Sequence, residues 1–222
     1  MRTETFATLA FLLSAGCFSA TGTEVPRGEV VFTNNCTRCH GPSGQGNPDI
    51  AAPSIAGLPG WYVETQLANF RGGIRGAHGD DSEGLRMRPM ARAIRDTDIK
   101  KVATHVANLK PYAVDYSGIA CTPEEQKQVP NTCGDKQRGE ELYVTCLACH
   151  GPDGKGMKAL HAPPIGQVYP WYFKTQIHKF QNGVRGAHPE DTWGATMVPM
   201  SMTLTSEQDV NDVISYIATL PK

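Results

Sequence analysis

In this chain of 222 residues, two short motifs combine cysteine and histidine, whose side chains can form covalent bonds or bind a metal ion. They are Cys36-Thr37-Arg38-Cys39-His40 and Cys146-Leu147-Ala148-Cys149-His150. Two thiols at this spacing can add to the two vinyl groups of one haem, and the adjacent histidine then lies where its imidazole ligates the iron. The motifs therefore predict two covalently bound haem c groups, each attached through two cysteines, with His40 and His150 as iron ligands.

Two other uses of such a motif fit this sequence poorly. A redox Cys-x-x-Cys usually accompanies a βαβ pattern, and the sequence shows none. A tetrahedral zinc site would need a second pair of ligands at short spacing, but the next Cys or His after His40 is His78.

The chain is a tandem repeat, because Cys146 follows Cys36 by 110 residues and many other identical residues keep that offset. The matched segments include His40-Gly41-Pro42 with His150-Gly151-Pro152, Trp61-Tyr62 with Trp171-Tyr172, and Arg75-Gly76-Ala77-His78 with Arg185-Gly186-Ala187-His188. A repeat of this length indicates two homologous domains. We place them at residues 24–114 and 136–222, with a linker at 115–135.

The pattern of apolar residues predicts short helices and no sheet. Apolar residues recur at helical spacing in several of these segments, whereas no run alternates as a strand would. The predicted helices cover residues 27–35, 61–71 and 97–109 in the first domain and 138–145, 171–181 and 206–219 in the second. With 23 Gly and 16 Pro in the chain, the intervening segments must be long loops. The predicted fold class is therefore all-α, with loops wrapped around the covalent haem.

The repeat also limits the residues available to bind iron opposite each proximal histidine. Equivalent sites should have equivalent ligands, and haem iron commonly takes Met or His as its second protein ligand. Three matched pairs meet this requirement, namely His78/His188, Met87/Met197 and Met90/Met200.

Each half of the chain resembles a small class I cytochrome c, and the whole resembles the di-haem cytochrome c4 family. The shared features are an N-terminal helix leading into Cys-x-x-Cys-His-Gly, a Pro-x-Ile segment, a methionine loop and a closing amphipathic helix. In that family the ligand methionine lies seven residues before the apolar residue that opens the last helix. Met87 precedes Ile94 by seven, and Met197 precedes Leu204 by seven. The resemblance thus favours Met87 and Met197 over Met90 and Met200.

The resemblance implies roles for three further matched pairs. The carbonyl groups of Pro53 and Pro163 should accept a hydrogen bond from the proximal histidines and so orient them. Arg75 and Arg185 are candidates to neutralise haem propionates. Trp61 and Trp171 could donate their indole N–H groups to propionates, with plain core packing as the alternative.

The implied function is single-electron transfer between redox proteins of a respiratory chain, without catalysis by the chain itself. The expected partners are a quinol-oxidising complex or dehydrogenase on one side and a terminal oxidase or reductase on the other. The alternative is an electron-accepting haem subunit of a dehydrogenase complex. A formal net charge of -1 argues against nucleic-acid binding, whereas peripheral contact with a membrane is compatible with this function.

The N-terminus and the remaining cysteines point to export. Residues 1–23 resemble a cleaved signal peptide, which places the mature protein in the periplasm. Ser14-Ala15-Gly16-Cys17 leaves a lipid anchor at Cys17 as an alternative. Cys121 and Cys133 would then most simply form a disulfide within the linker.

Overall fold

The computed structural model describes residues 26–116 and 133–221, which form two helical domains of the same design. The predicted signal peptide, Cys17 and Cys121 lie outside the described residues. Cys133 is disulfide-bonded. Among the described residues, no helix combines the length and hydrophobicity needed to cross a bilayer.

The first domain contains five helices, one of them a single turn. They are α1 (Arg27–Asn35), α2 (Thr37–His40), α3 (Gly60–Gly72), α4 (Ser82–Ala93) and α5 (Asp96–Asn108). A short 3₁₀ turn covers Pro48–Ile50.

The second domain repeats this order with one difference at the cysteine motif. Its helices are α6 (Lys136–His150), α7 (Pro170–Gln181), α8 (Thr192–Ser201) and α9 (Glu207–Ile217), with a 3₁₀ turn at Lys158–Leu160. Helix α6 runs unbroken through the motif, whereas the first domain has a break at Cys36 between α1 and α2. The described residues contain no strand, only two isolated bridges. The all-α prediction is therefore confirmed.

The methionine segments differ from expectation, because they are helices rather than loops. Asp81 begins α4 by accepting a hydrogen bond from the Gly84 N–H, and Asp191 does the same for Gly194 at α8. Such capping satisfies backbone donors of the first turn. Each helix then continues through an internal proline, Pro89 in α4 and Pro199 in α8.

In each domain the first and last helices cross in close contact and form the core. In the first domain Val31 and Phe32 pack against Val102 and Val106 of α5. A side chain at Gly28 would place its Cβ 2.3 Å from the Lys101 carbonyl oxygen, so the two backbones approach closely there. Gly139 is equally confined against Asp212 in the second domain, where a Cβ would lie 1.9 Å from the carbonyl oxygen.

An arginine beside each of these glycines binds a buried aspartate of the last helix. Arg27 forms an ion pair with Asp98 at 2.7 Å, and Arg138 pairs with both Asp209 and Asp212. These arginines and their neighbours hold the pKa of Asp98 well below its usual range. Burial alone would raise the pKa of Asp209, but hydrogen bonds from Arg138, Thr205 and Ser206 lower it to about 2.

Asp209→Asn is therefore expected to destabilise the second domain in a pH-dependent way. The folded pKa of Asp209 lies below its ordinary value of 3.8, so the ionised carboxylate stabilises the fold above about pH 4. That contribution is lost as the pH falls through the folded pKa of about 2. We expect the substitution to lower the free energy of unfolding at pH 6 by about 1–3 kcal/mol. It should also flatten the pH dependence between pH 5 and 2.

Guanidinium unfolding followed by circular dichroism at each pH checks this prediction. Asp80→Asn is the control, because the Asp80 side chain is 84% exposed and should change stability little. An equal loss in the two variants would contradict a role for the Arg138 ion pairs.

Candidate haem sites

Each proximal histidine is buried and held by one hydrogen bond. Nδ1 of His40 lies 2.8 Å from the carbonyl oxygen of Pro53, and Nδ1 of His150 lies 2.8 Å from that of Pro163. A carbonyl oxygen only accepts, so Nδ1 carries the proton and donates it. The lone pair of Nε2 is then free to bind a metal ion. The structure thus contains the two contacts that the resemblance to cytochrome c4 implied.

Burial favours the neutral, ligating form of both imidazoles. Loss of hydration lowers the pKa of His40 and of His150, although the proline hydrogen bonds oppose the shift. A neutral imidazole is the form that binds a metal ion.

The first cysteine of each motif lacks the properties of a reactive thiol. Burial raises the pKa of Cys36 to about 11 and that of Cys146 to about 11. Catalytic and redox-active cysteines have lowered values instead, since the thiolate is the nucleophile. Nor do three His, Cys, Asp or Glu side chains converge as metal ligands anywhere in residues 26–116 and 133–221. These findings argue against a redox or zinc-binding use of the motif.

One continuous cavity of about 310 Å³ joins the two motifs across the domain interface. Both proximal histidines line it, as do the matched tryptophans Trp61 and Trp171. The domains therefore face each other across the space where the cofactors would lie.

The methionines occupy different positions relative to this cavity. Met87 and Met197 are half-buried and both line it. Met90 also lines it but is 36% exposed, and Met200 is 40% exposed and is not part of the lining. The matched histidines lie elsewhere, since His78 and His188 are exposed and accept hydrogen bonds from the Asp80 and Glu190 N–H groups.

Arg75 and Arg185 form a nearly symmetric network between the domains. Arg75 donates to Gln66 of its own domain at 2.6 Å and to Gln176 of the other at 3.0 Å. Arg185 donates to Gln176 at 2.7 Å and reaches Gln66 at 3.4 Å. Each guanidinium also lies over a phenylalanine ring, with 4.7 Å and 4.6 Å to the ring centres.

This network concentrates positive charge in the interface. Neither guanidinium forms an ion pair with any of the described residues, although Arg75 is only 9% exposed. Burial would raise the pKa of the Tyr172 phenol, which accepts from Arg75 at 3.0 Å, yet the neighbouring guanidiniums lower it. The Asp81 carboxylate acts on Arg75 only at longer range than an ion pair. Two guanidinium groups without a carboxylate in direct contact are suited to bind an anionic group.

Unpaired buried donors also match the chemistry of haem. Trp171 Nε1 and Arg185 Nε are buried and have no hydrogen-bond partner among the residues described. Both residues line the cavity, where propionates would supply acceptors. Together with the free Nε2 of each proximal histidine, they fit a haem in each domain.

Lys179 adds an ion pair that breaks the symmetry of the interface. Its Nζ lies 2.5 Å from Asp81 Oδ1 and 2.5 Å from Glu83 Oε2, both in the other domain. The repeat has Asn69 at the corresponding position, so the first domain cannot form the reciprocal pair. Burial would raise the pKa of Glu83, but the hydrogen bond from Lys179 lowers it to about 2.

The sequence predicted no role for several residues that meet at the interface. Four of them are matched between the repeats and lie on helices, namely Gln66, Gln176, Tyr62 and Tyr172. Their repetition was the feature of the sequence that could have pointed to a shared role. His161 offered no such signal, because its counterpart is Ala51. It stacks on Trp193 at 4.0 Å between ring centres and meets the edge of Trp61 across the interface at 5.7 Å.

The hydrogen bond from Lys179 holds the pKa of Glu83 low, so Lys179→Gln should raise that pKa toward its ordinary value of 4.5. The amide cannot supply the positive charge that now favours the ionised carboxylate. The measurement is a titration of the Glu83 side-chain carboxyl by ¹³C NMR in the fully reduced protein. Lys174→Gln is the matched control, because Lys174 pairs with Glu207 instead. An unchanged Glu83 pKa in Lys179→Gln would show that this ion pair is absent in solution.

Comparison with known proteins agrees with the geometry. The Cytochrome c family model matches residues 25–110 and 136–221. A thiosulfate dehydrogenase electron acceptor of Stutzerimonas stutzeri (strain A1501) is 29% identical over 185 residues, which is 83% of this chain and 78% of the relative. A cytochrome c-552 of Acidithiobacillus ferridurans is 28% identical over 214 residues, covering 95% of this chain and 85% of the relative.

The fold is also shared with a solved structure. The crystal structure of reduced recombinant cytochrome c4 from Pseudomonas stutzeri superposes with a TM-score of 0.63 at 23% identity, covering 87% of this chain and 97% of that one. The prediction of two covalent haem c groups is confirmed by the family match together with the two motifs. This chain belongs to the cytochrome c family, as a cytochrome c4-like protein with two tandem domains that transfers electrons through two haems.

Proposed function

We propose that this protein is a periplasmic carrier that takes single electrons from a dehydrogenase or quinol-oxidising complex and delivers them to a terminal oxidase or reductase. The observation that carries the proposal is the continuous cavity, which joins two complete proximal sites across one interface. Docking with redox partners of this kind is usually weak and transient.

Iron ligation by Met87 and Met197 is part of the proposal. Both side chains are half-buried at matching positions in α4 and α8, and both line the cavity. Haem iron held by histidine and methionine changes oxidation state without binding a substrate, and methionine raises its reduction potential relative to two histidines. The chain would then have no catalytic residue of its own.

A second candidate function is supported by one of the relatives. The Stutzerimonas stutzeri protein is named as an electron acceptor of thiosulfate dehydrogenase. By analogy, this chain would receive electrons from one dedicated dehydrogenase, as a subunit or as a fixed partner. Stable co-purification with a dehydrogenase would favour this function over that of a free carrier.

Met87→Ala and Met197→Ala should each remove the far-red absorption band of methionine-ligated ferric haem from one of the two haems. The reason is that alanine offers no sulfur to the iron. Visible absorption and magnetic circular dichroism of the oxidised protein provide the measurement.

Met90→Ala and Met200→Ala are the matched controls for these variants, since each lies three residues farther along the same helix. Both control variants should keep the band at full intensity. Loss of the band in Met90→Ala, with its retention in Met87→Ala, would assign the first ligand to Met90 instead.

The carrier function predicts that the purified protein takes up two electrons per molecule and binds no carbon monoxide in its native ferrous state. A coulometric titration with carbon monoxide added at the end checks both points. Thiosulfate alone should not reduce the protein, because the electrons would come through a partner enzyme. High-spin iron, rapid carbon monoxide binding or direct reduction by thiosulfate would contradict the proposal.

A further inference from the structure

Within the described part of the chain, Lys179 is the one residue whose ion pairs cross the domain interface, and both of its partners lie at the start of α4. Asp81 is the N-cap of that helix, and Glu83 lies in its first turn. The Asp81 oxygen that accepts a hydrogen bond from the Gly84 N–H also binds the Lys179 ammonium group. A side chain of the second domain therefore holds the first turn of a helix in the first domain.

This first turn supports the methionine that we propose as the first iron ligand. Glu83 and Met87 are four residues apart, so they lie on the same side of α4, one turn from each other. Both line the cavity, and so does Lys179. Displacement of the first turn would therefore move the Met87 side chain relative to the haem site.

The ion pair is shielded from water, which makes the loss of one partner costly. The side chain of Lys179 is 10% exposed and that of Asp81 is 3% exposed. Removal of one partner from a buried pair leaves the other charge without compensation in a region of low polarity. Without Lys179, the carboxylates of Asp81 and Glu83 would regain hydration if the first turn of α4 moved outward.

The support that each domain gives to its own methionine helix is nearly the same. A Cβ at Gly76 would lie 2.5 Å from the Gly84 carbonyl oxygen of α4. A Cβ at Gly186 would lie 2.6 Å from the Gly194 carbonyl oxygen of α8. The aspartate N-caps of the two helices match as well. These contacts therefore do not distinguish the two methionine sites.

The contacts made by the other domain do distinguish them. Asn69 stands where the repeat would need a second lysine, and Trp193 stands in place of the glutamate, so α8 cannot receive the reciprocal ion pair. Trp193 stacks instead on His161 of its own domain, at 4.0 Å between the ring centres. The start of α4 is thus held by the other domain, whereas the start of α8 is held by its own.

We propose that Lys179 is a positioning residue for the first haem site, which keeps Met87 bound to the iron as long as the two domains are docked. The proposal rests on the proposed ligation by Met87 and adds to it a dependence on the interface. Met197 lacks this dependence, because no ion pair from the first domain reaches α8 among the residues described. A loosened interface would then weaken methionine ligation, and so lower the reduction potential, at the first haem alone.

The test measures how readily added imidazole replaces methionine at each ferric haem. Imidazole binds the iron only when the methionine has left it, so its apparent affinity reports how often the methionine helix opens. Loss of the far-red band follows the replacement. The Met197→Ala background isolates the band of the first haem, and the Met87→Ala background isolates that of the second. The full protein with both haems attached is used throughout.

Lys179→Met should raise the apparent affinity of the first haem for imidazole at least about tenfold, because the uncompensated carboxylates favour opening of α4. The affinity of the second haem should change less than about twofold. Glu83→Gln should give a smaller increase, also at the first haem alone, since the Asp81 pair remains. Lys174→Met is the matched control, because Lys174 lies on the same helix but pairs with Glu207 of its own domain. It should leave both affinities unchanged.

Equal increases at the two haems in Lys179→Met would indicate a general loosening of the interface and overturn the positioning role. An unchanged affinity at the first haem, or an equal increase in Lys174→Met, would overturn it as well. If Lys179→Met does not fold, Glu83→Gln decides, since its side chain is 34% exposed and an unchanged first haem would again overturn the role.

Failure of the proposed ligation has a different signature. Absence of the far-red band from Met197→Ala would contradict ligation of the first haem by Met87, and with it the role of Lys179. A normal band whose response to imidazole is the same with and without Lys179 contradicts the positioning role alone.

Discussion

The hydrogen bond from each proximal histidine to a proline carbonyl is the contact on which both haem sites depend. It fixes the tautomer, directs the lone pair of Nε2 toward the cavity and satisfies the buried Nδ1 of His40 and His150. The surrounding elements make this bond possible. Tight packing of the first helix of each domain on the last, through Gly28 and Gly139, positions the motif that ends in the histidine.

A second constraint is the hydrogen-bond network at the interface, which involves both domains. Arg75 and Arg185 are shared between the two halves through reciprocal contacts with Gln66 and Gln176, so each domain supplies a hydrogen-bond acceptor to the arginine of the other. Both guanidinium groups line the cavity, where they would be able to hold haem propionates. It follows that a change on one side of the interface alters the environment of both cofactors.

Much of the architecture could be predicted from the sequence, because covalent haem attachment requires a fixed motif and the motif occurs twice. The 110-residue offset located the two repeats, and five of the six predicted helices end within about two residues of those observed. The sixth, predicted at 138–145, continues through the motif to His150. The helical form of the methionine segments could not be predicted in the same way. Pro89 and Pro199 argue locally against a helix, and the hydrogen bonds by which Asp81 and Asp191 cap the first turns become visible only in the structure.

The departures from symmetry were the hardest features to foresee. A repeat identifies what the domains share, but Lys179 and His161 make contacts where the domains differ. Their roles depend on which side chains meet across the interface or face solvent, and sequence spacing carries no information about either.

The central claim is that the interface couples two haems within one molecule, and electron redistribution after partial reduction tests it most directly. In a pulse-radiolysis experiment that delivers less than one electron per molecule, we expect a phase in which electrons move between the haems. The rate of that phase should not depend on protein concentration, and it should fall in Arg75→Gln/Arg185→Gln. Redistribution only by collision, at a rate proportional to protein concentration, would contradict the account.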